Sequence, residues 1–196
     1  MAPSGMTADF AEHLKQVRTT ARELHSPAAV EAAIDKLAAQ ISAQYEHKNP
    51  LLITVLNGGV VLSGRLLCKL NFPLEIDYLH ATRYRGETQG SQLQWIAAPS
   101  TPLAGRHVII LDDILDVGST LVAIVKACQD QNVASVATAV LVDKQHDYKA
   151  QPGLKADFTG LYTEDAYLFG CGMDYRSYWR NAPGIYAVDP ALLEQN

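Results

Sequence analysis

The sequence predicts an α/β fold with a central, mostly parallel β-sheet flanked by helices. Three short apolar runs, 51–56, 107–111 and 135–142, have the length of buried strands. The first two lead through a polar segment into stretches of helical character that reach about Leu70 and Gln131. Strands that alternate with helices in this way form right-handed crossover units, which place the strands parallel in one sheet.

Length and composition favour one globular domain over 1–196. Of the 196 residues, 48% are hydrophobic and 19% are charged, a mixture typical of a folded protein. The net charge of -5 argues against broad electrostatic binding to nucleic acid. No apolar run approaches the roughly 20 residues of a membrane helix, and the N-terminus lacks the pattern of a secretory signal. We therefore expect a cytoplasmic protein with neither a nucleic-acid nor a membrane partner.

The N-terminal segment, 1–47, is predicted to form two helices. Thr7 is a candidate cap for the first helix, and Ser26, which a proline follows, is a candidate cap for the second. Apolar residues recur at helical spacing in the second helix and predict a stripe that faces the core. The core of the domain is then expected over 51–145, with a further strand at 74–81.

Two segments do not fit the alternation of strands and helices. The segment 82–92 is polar, contains two glycines and has no periodicity, which is typical of a mobile loop within a hairpin. The segment 158–188 holds short aromatic pieces that resemble strands. We expect it to form a small hood over the sheet.

The segment 107–120 carries the clearest chemical signal. The loop from Asp116 to Thr120 joins a strand to a helix, so its backbone N–H groups, its hydroxyls and the positive end of the helix suit a phosphate monoester. Gly118 would let the backbone approach that phosphate closely. Asp112 and Asp113 precede the loop and would repel a phosphate unless a cation or sugar hydroxyls lay between. Mg²⁺ and a ribose diol satisfy both conditions.

The residues VIILDDILDVGST, at 108–120, resemble the phosphoribosyl-pyrophosphate signature of the type I phosphoribosyltransferases. From about Leu51 onward, the chain resembles the hypoxanthine-guanine branch of that family. The resemblance implies the type I phosphoribosyltransferase fold with its mobile loop and hood. It also implies a Mg²⁺-dependent purine salvage enzyme, a homodimer or homotetramer, whose substrates are 5-phosphoribosyl diphosphate and hypoxanthine or guanine.

The resemblance further implies roles for individual residues around the sugar. Asp116 matches the aspartate beside purine N7, which acts as general acid and base. The 5′-phosphate loop is matched by Val117, Gly118, Ser119 and Thr120. Asp112 and Asp113 match the acids that hold the ribose hydroxyls and a magnesium ion. Arg83 and Tyr84 occupy the mobile-loop position, where many members have Ser-Tyr.

The remaining implied roles concern pyrophosphate and the purine. The pyrophosphate site is matched by Leu56, Asn57, Gly58 and Arg180, with a non-proline cis peptide in its loop. Asn57 stands where many members carry lysine. Lys144 matches the lysine that donates to the purine 6-oxygen, Tyr167 matches the aromatic residue that stacks on the base, and Leu168 matches the residue that pairs with the base edge through its backbone. Asp174 matches an acid at the purine site that helps to hold a second magnesium ion.

Two alternatives remain open at this level. The enzyme could prefer xanthine, or it could be a nucleotide-binding regulator built on the same fold. The complete set of acids, Asp112, Asp113 and Asp116, and the acidic net charge both argue against the regulator.

Overall fold

The computed structural model describes residues 7–83 and 93–193. Its helices are α1 (Ala8–Thr20), α2 (Pro27–Tyr45), α3 (Gly59–Leu67) and α4 (Ser119–Gln129). Its strands are β1 (Arg22–His25), β2 (Leu51–Leu56), β3 (Glu75–Arg83), β4 (Leu93–Ala97), β5 (His107–Leu115), β6 (Ser135–Lys144), β7 (Phe158–Thr163), β8 (Leu168–Phe169) and β9 (Ile185–Ala187). None of the helices in these two ranges is both long and apolar enough to cross a membrane.

In the described residues, six strands form the central sheet in the spatial order β4-β3-β2-β5-β6-β7. Every neighbouring pair is parallel except β3 and β4, which are antiparallel. The predicted central, mostly parallel sheet is therefore confirmed. Because β2, β5 and β6 are adjacent and parallel, their carboxyl ends meet at one edge, which is where ligands bind in sheets of this kind.

Helices cover both faces of this sheet, as the alternation of side chains along β5 shows. Ile109 and Leu111 point to one face, where they pack with the apolar stripe of α2 and with α3. Val108 and Ile110 point to the other face and pack with Leu121 and its neighbours on α4. Side chains on successive residues of a strand face opposite sides, so one apolar run supplies both halves of the core.

A second, three-stranded sheet has the order β1-β9-β8 and packs with α1 through Leu14, Val17, Phe169 and Tyr186. We call this small sheet, α1 and the segment 170–184 between β8 and β9 the hood. The expectation of two helices alone in 1–47 is wrong, because β1 lies between them and pairs with β9. Four residues are too few to show a periodicity.

The expectation that 158–188 forms only a hood is also wrong. Its first part is β7, which pairs in parallel with β6 as the last strand of the central sheet. Gly160 interrupts the strand pattern, and its lack of a side chain has a packing reason. A Cβ there would meet the Leu141 carbonyl oxygen at 2.7 Å and Ala33 Cβ of α2 at 3.4 Å.

The hairpin predicted around 82–92 has its two strands in place. Arg83 is the last residue of β3 and pairs with Leu93 of β4. Tyr84 and the rest of the loop lie outside the described residues, so the mobile-loop roles of Arg83 and Tyr84 stay predictions.

Candidate active site

A cavity of about 350 Å³ opens at the carboxyl edge of the central sheet, where β2, β5 and β6 end. The predicted site residues that line it are Leu56, Asn57, Gly58, Asp112, Asp113, Asp116, Lys144, Tyr167, Leu168, Asp174 and Arg180. β5 runs four residues beyond the predicted 107–111, so Asp112 and Asp113 lie inside the strand. The fold thus brings together residues that are more than 120 positions apart in the chain.

Asp112 and Asp113 form a pair of acids with little positive charge around them. Burial raises the pKa of Asp112 well above its usual value, and the neighbouring charge of Asp113 raises it further. Burial also raises the pKa of Asp113, which is 6% exposed. Arg180 opposes both shifts, but its guanidinium lies 4.0 Å from the Asp113 carboxylate. The pair therefore suits a ligand that brings a cation or hydroxyl donors.

The donors present fit Mg²⁺ held jointly with a substrate. No group of three His, Cys, Asp or Glu side chains within 7–83 and 93–193 is placed to hold a metal ion alone. Mg²⁺ usually takes one or two protein carboxylates and completes its shell with water and substrate phosphates. Asp112 and Asp113 would supply that share. Asp174 is already engaged, since it accepts from Arg180 Nη2 at 2.6 Å and from the Ser177 amide at 2.6 Å.

The helix α3 begins at this cavity and α4 begins beside it, and neither has a side-chain cap. The N-cap residue of α3 is Gly58 and that of α4 is Gly118. The helices away from the cavity are capped as predicted, α1 by Thr7 and α2 by Ser26. An uncapped helix end presents free N–H groups and a partial positive charge, which favour an anion. The contrast supports one phosphate site at each of the two uncapped ends.

The predicted 5′-phosphate loop contains Gly118 for a reason that the sequence did not give. Its φ is +82°, a left-handed conformation that favours glycine. A Cβ would also overlap the side chains of Leu154 and Leu115. Glycine therefore suits both the left-handed backbone and the tight packing at this position of the loop. Val117, Gly118, Ser119 and Thr120 adjoin the cavity lined by the other predicted residues rather than line it.

The predicted pyrophosphate loop is compact and is contacted by the hood. The peptide bond between Leu56 and Asn57 is cis, as the resemblance implied. A Cβ on Gly58 would overlap the Asp113 carboxylate, and a Cβ on Gly172 would overlap the Gly58 carbonyl oxygen. Arg180 donates from Nη1 to the Gly172 oxygen at 2.6 Å. Only small residues at 58 and 172 allow the hood to approach the acids so closely.

The purine side of the cavity is organised by Lys144, the last residue of β6. Lys144 is 8% exposed, and its ammonium lies 3.2 Å from Asp116 Oδ2 and 3.4 Å from Asp165 Oδ1. It is therefore not an ordinary surface lysine. Tyr167 is 43% exposed and packs edge-on against Tyr175, with ring centroids 5.6 Å apart. An accessible aromatic face beside a buried ammonium suits a planar base that carries a carbonyl oxygen.

Sequence reasoning missed several residues in the surroundings of Asp116. His146 Nε2 lies 2.9 Å from Asp116 Oδ1, and Asp165 pairs with Lys144, which itself contacts Asp116. Lys149 donates to the carbonyl oxygens of Leu115 and Asp116, each at 2.8 Å. The signal was available in the charged and aromatic run KQHDYK, which begins with the last residue of β6 at the edge where ligands bind.

Comparisons with known proteins point to one family. A profile described as the phosphoribosyl transferase domain matches residues 20–175. The hypoxanthine-guanine-xanthine phosphoribosyltransferase of Tritrichomonas foetus is 34% identical over 164 residues, which cover 84% of this chain and 89% of that protein. The hypoxanthine-guanine phosphoribosyltransferase of Bacillus subtilis strain 168 is 31% identical over 166 residues, which cover 84% and 91%.

Solved structures give the same result. A hypoxanthine phosphoribosyltransferase from Staphylococcus aureus matches with a TM-score of 0.83 at 26% identity, covering 98% of this chain and 100% of that chain. The matched profile spans most of the chain, and the relatives align over nearly their full lengths. The chain therefore belongs to the phosphoribosyl transferase family and is a phosphoribosyltransferase enzyme.

Proposed function

We propose that this enzyme transfers the 5-phosphoribosyl group of 5-phosphoribosyl diphosphate to N9 of hypoxanthine or guanine. The products are IMP or GMP and pyrophosphate. The observation that carries the proposal is the single cavity in which two acids of β5, the Asp116–Lys144 pair and the uncapped start of α3 come together. The names of the relatives given above support the choice of purine.

Two anion sites flank the acids in this proposal. The 5′-phosphate lies at the start of α4, within the loop formed by Val117, Gly118, Ser119 and Thr120. Pyrophosphate lies at Leu56, Asn57 and Gly58, where α3 begins and where Arg180 of the hood adds a positive charge. A sugar held between these sites would place its ring hydroxyls beside Asp112 and Asp113. Because Asn57 is uncharged, Arg180 supplies the side-chain positive charge on this side.

Asp112 and Asp113, together with substrate oxygens, would hold Mg²⁺, and Asp174 would help to hold a second ion. The bound metal would supply positive charge beside the diphosphate. The protein itself holds the sugar and the base in line, which removes much of the entropic barrier. Arg180 and the helix N-termini stabilise the negative charge that develops on pyrophosphate. We propose that the loop bearing Arg83 and Tyr84 closes over the sugar to exclude water.

Asp116 takes up a proton as the base reacts. When N9 of the purine bonds to the sugar carbon, N7 must lose its proton, and a carboxylate beside N7 can accept it. A positioned general base of this kind contributes about 10²–10⁴ in rate. Tyr167 stacks on the purine and the Leu168 backbone pairs with its edge, so the base is held with N7 toward Asp116.

Lys144 selects a 6-oxopurine. An ammonium has three donors and no acceptor, so it can bond to the 6-oxygen of hypoxanthine or guanine. Adenine presents an amino group at this place, and two donors would face each other in a closed site. Sites built on such pairing reject the mismatched analogue by about 10⁴-fold or more.

The test is a steady-state comparison of hypoxanthine, guanine, xanthine and adenine at fixed 5-phosphoribosyl diphosphate and Mg²⁺. We expect hypoxanthine and guanine to have the highest kcat/KM and adenine to be rejected. The Tritrichomonas foetus relative includes xanthine in its name, so xanthine is the informative third substrate. A higher kcat/KM for xanthine or for adenine than for both expected purines would overturn the assignment.

We also propose that the enzyme is a cytoplasmic homodimer or homotetramer whose ligands are small molecules, not nucleic acid or membrane. Strands β3 and β4 carry apolar side chains that are more than half exposed in the isolated chain, namely Ile76, Tyr78 and Ile96. Apolar patches of this kind mark interaction surfaces. Light scattering coupled to size-exclusion chromatography should give two or four chains, and a monomer would contradict the proposal.

A further inference from the structure

We propose that His146 is a positioning residue for Asp116, whose carboxylate it holds in the orientation that meets purine N7. This inference rests on the proposed role of Asp116. His146 lies on the segment that follows β6, and its ring contacts Oδ1 of the Asp116 carboxylate, whereas Lys144 contacts Oδ2. The contact joins residues 30 positions apart in the chain.

The geometry assigns the imidazole proton to Nε2. His146 Nε2 lies 2.9 Å from Asp116 Oδ1, and the His146 side chain is 3% exposed. A carboxylate only accepts hydrogen bonds, so Nε2 carries the proton. Nδ1 is buried, and the described part of the chain offers it no hydrogen-bond partner. With the proton on Nε2, Nδ1 carries a lone pair, so the ring leaves no N–H group without a hydrogen-bond partner.

Aromatic stacking and a second acid hold the ring in place. The imidazole stacks on Tyr148 with centroids 3.7 Å apart and planes 10° from parallel. Tyr148 donates its hydroxyl to Asp165 Oδ2 at 2.5 Å, and this bond raises the pKa of Tyr148 to about 12. Asp165 in turn contacts Lys144, which contacts Asp116. The contacts therefore form a closed cycle, which runs from Asp116 through His146, Tyr148, Asp165 and Lys144 back to Asp116.

The two donors to Asp116 have different duties in this arrangement. Lys144 has three N–H groups, which it shares among Asp116, Asp165 and the purine oxygen. His146 has one N–H toward Asp116 and no other bonding partner in the described residues. Each oxygen of Asp116 thus has one donor, which fixes the carboxylate torsion while a lone pair stays free for N7. His146 keeps that torsion when the purine engages Lys144.

The segment that carries His146 is anchored by bonds that do not involve the His146 imidazole. Lys149 donates to the oxygens of Leu115 and Asp116 and to Asp143 Oδ1. The Ala150 amide donates to the Val117 oxygen at 2.8 Å. These bonds support the 5′-phosphate loop and do not pass through the imidazole. A change confined to the imidazole should therefore leave phosphate binding intact.

The test compares His146→Leu, which removes the donor, with His146→Gln, whose amide can replace Nε2–H. We expect His146→Leu to lower kcat about tenfold, the effect of one hydrogen bond to a charged group, with the Kd of 5-phosphoribosyl diphosphate unchanged within about twofold. His146→Gln should restore most of kcat. His107→Leu is the matched control, since His107 bonds Ser135 at 2.8 Å near the opposite end of β5.

A double-mutant cycle separates positioning from a structural role. In the Asp116→Asn background, His146→Leu should cause almost no further loss of kcat, because no base is left to orient. The same tenfold loss in both backgrounds would overturn the proposal. A weakened Kd for the diphosphate together with a lowered Tm would also overturn it, because the histidine would then only support the loop.

A spectroscopic measurement keeps this test apart from the proposed function. Long-range ¹H–¹⁵N spectra of the uniformly labelled protein report which ring nitrogen carries the proton, and His146→Gln assigns the signals. We expect the Nε2–H tautomer, and an Nδ1–H tautomer would overturn the inference whatever the enzyme's substrate proves to be. An inactive wild-type protein with the Nε2–H tautomer would instead refute the proposed function alone.

Discussion

Replacing Lys144 with glutamine should weaken the discrimination between hypoxanthine and adenine. The Lys144 ammonium is held between Asp116 at 3.2 Å and Asp165 at 3.4 Å, so it is placed before any base arrives. Losing a hydrogen bond from a charged group costs about 1.5–3 kcal/mol, and each 1.36 kcal/mol is tenfold in rate. We therefore expect kcat/KM for hypoxanthine to fall about 10- to 100-fold.

Adenine should respond to the same change in the opposite direction. A glutamine amide can rotate so that its oxygen accepts from the adenine amino group, which an ammonium cannot do. We therefore expect kcat/KM for adenine to rise and the hypoxanthine-to-adenine ratio to fall by about 10²-fold or more. The assay is the steady-state rate with each purine in wild-type and variant enzyme.

The control for this comparison is Lys126→Gln, which changes an exposed lysine of α4 that pairs with Asp130 and with no other acid in the described residues. This variant should leave the ratio within about twofold of wild type. A wild-type ratio near one would refute the 6-oxopurine assignment. A large ratio that is unchanged in Lys144→Gln would show that Lys144 does not discriminate between the purines.

Three further predictions concern the acids and the phosphate loop. Asp116→Asn should keep the shape of the site but lower kcat about 10²–10⁴-fold; near-normal kcat would remove Asp116 from the chemistry. Calorimetry should show weak binding of 5-phosphoribosyl diphosphate in excess chelator, because Asp112 and Asp113 then face a polyanion uncompensated; equal affinity without Mg²⁺ would contradict their role. Gly118→Ala should cost about 1–2 kcal/mol for its left-handed backbone and about 1–3 kcal/mol for the overlap beneath it, and an unchanged Tm would refute this packing argument.

The sequence predicts those parts of the site that lie on short, contiguous segments. Asp112, Asp113 and Asp116 belong to one strand and the loop after it, so their proximity follows from local geometry. The same holds for the loops that open α3 and α4, since the carboxyl ends of adjacent parallel strands meet at one edge. The resemblance then indicated which chemistry such an edge performs.

The contacts around Asp116 could not be predicted in the same way. His146 reaches the carboxylate, and Asp165 reaches Lys144 beside it, only because the segments after β6 and β7 fold back toward the site. No local pattern specifies such a path. The strand β1 was missed because four residues show no periodicity, and β7 was assigned to the hood because its strand-like pattern does not show which sheet it joins. In both cases the partner strand, not the segment itself, decides the structure.

The most direct test of the account is to give the wild-type enzyme an equimolar mixture of hypoxanthine, guanine and adenine with limiting 5-phosphoribosyl diphosphate and Mg²⁺, and to separate the nucleotides formed. The account predicts IMP and GMP in an amount equal to the pyrophosphate released, with AMP at most about one part in 10⁴. AMP in an amount comparable to IMP and GMP would contradict the assigned purine site. Pyrophosphate released without any nucleotide would contradict the transfer itself.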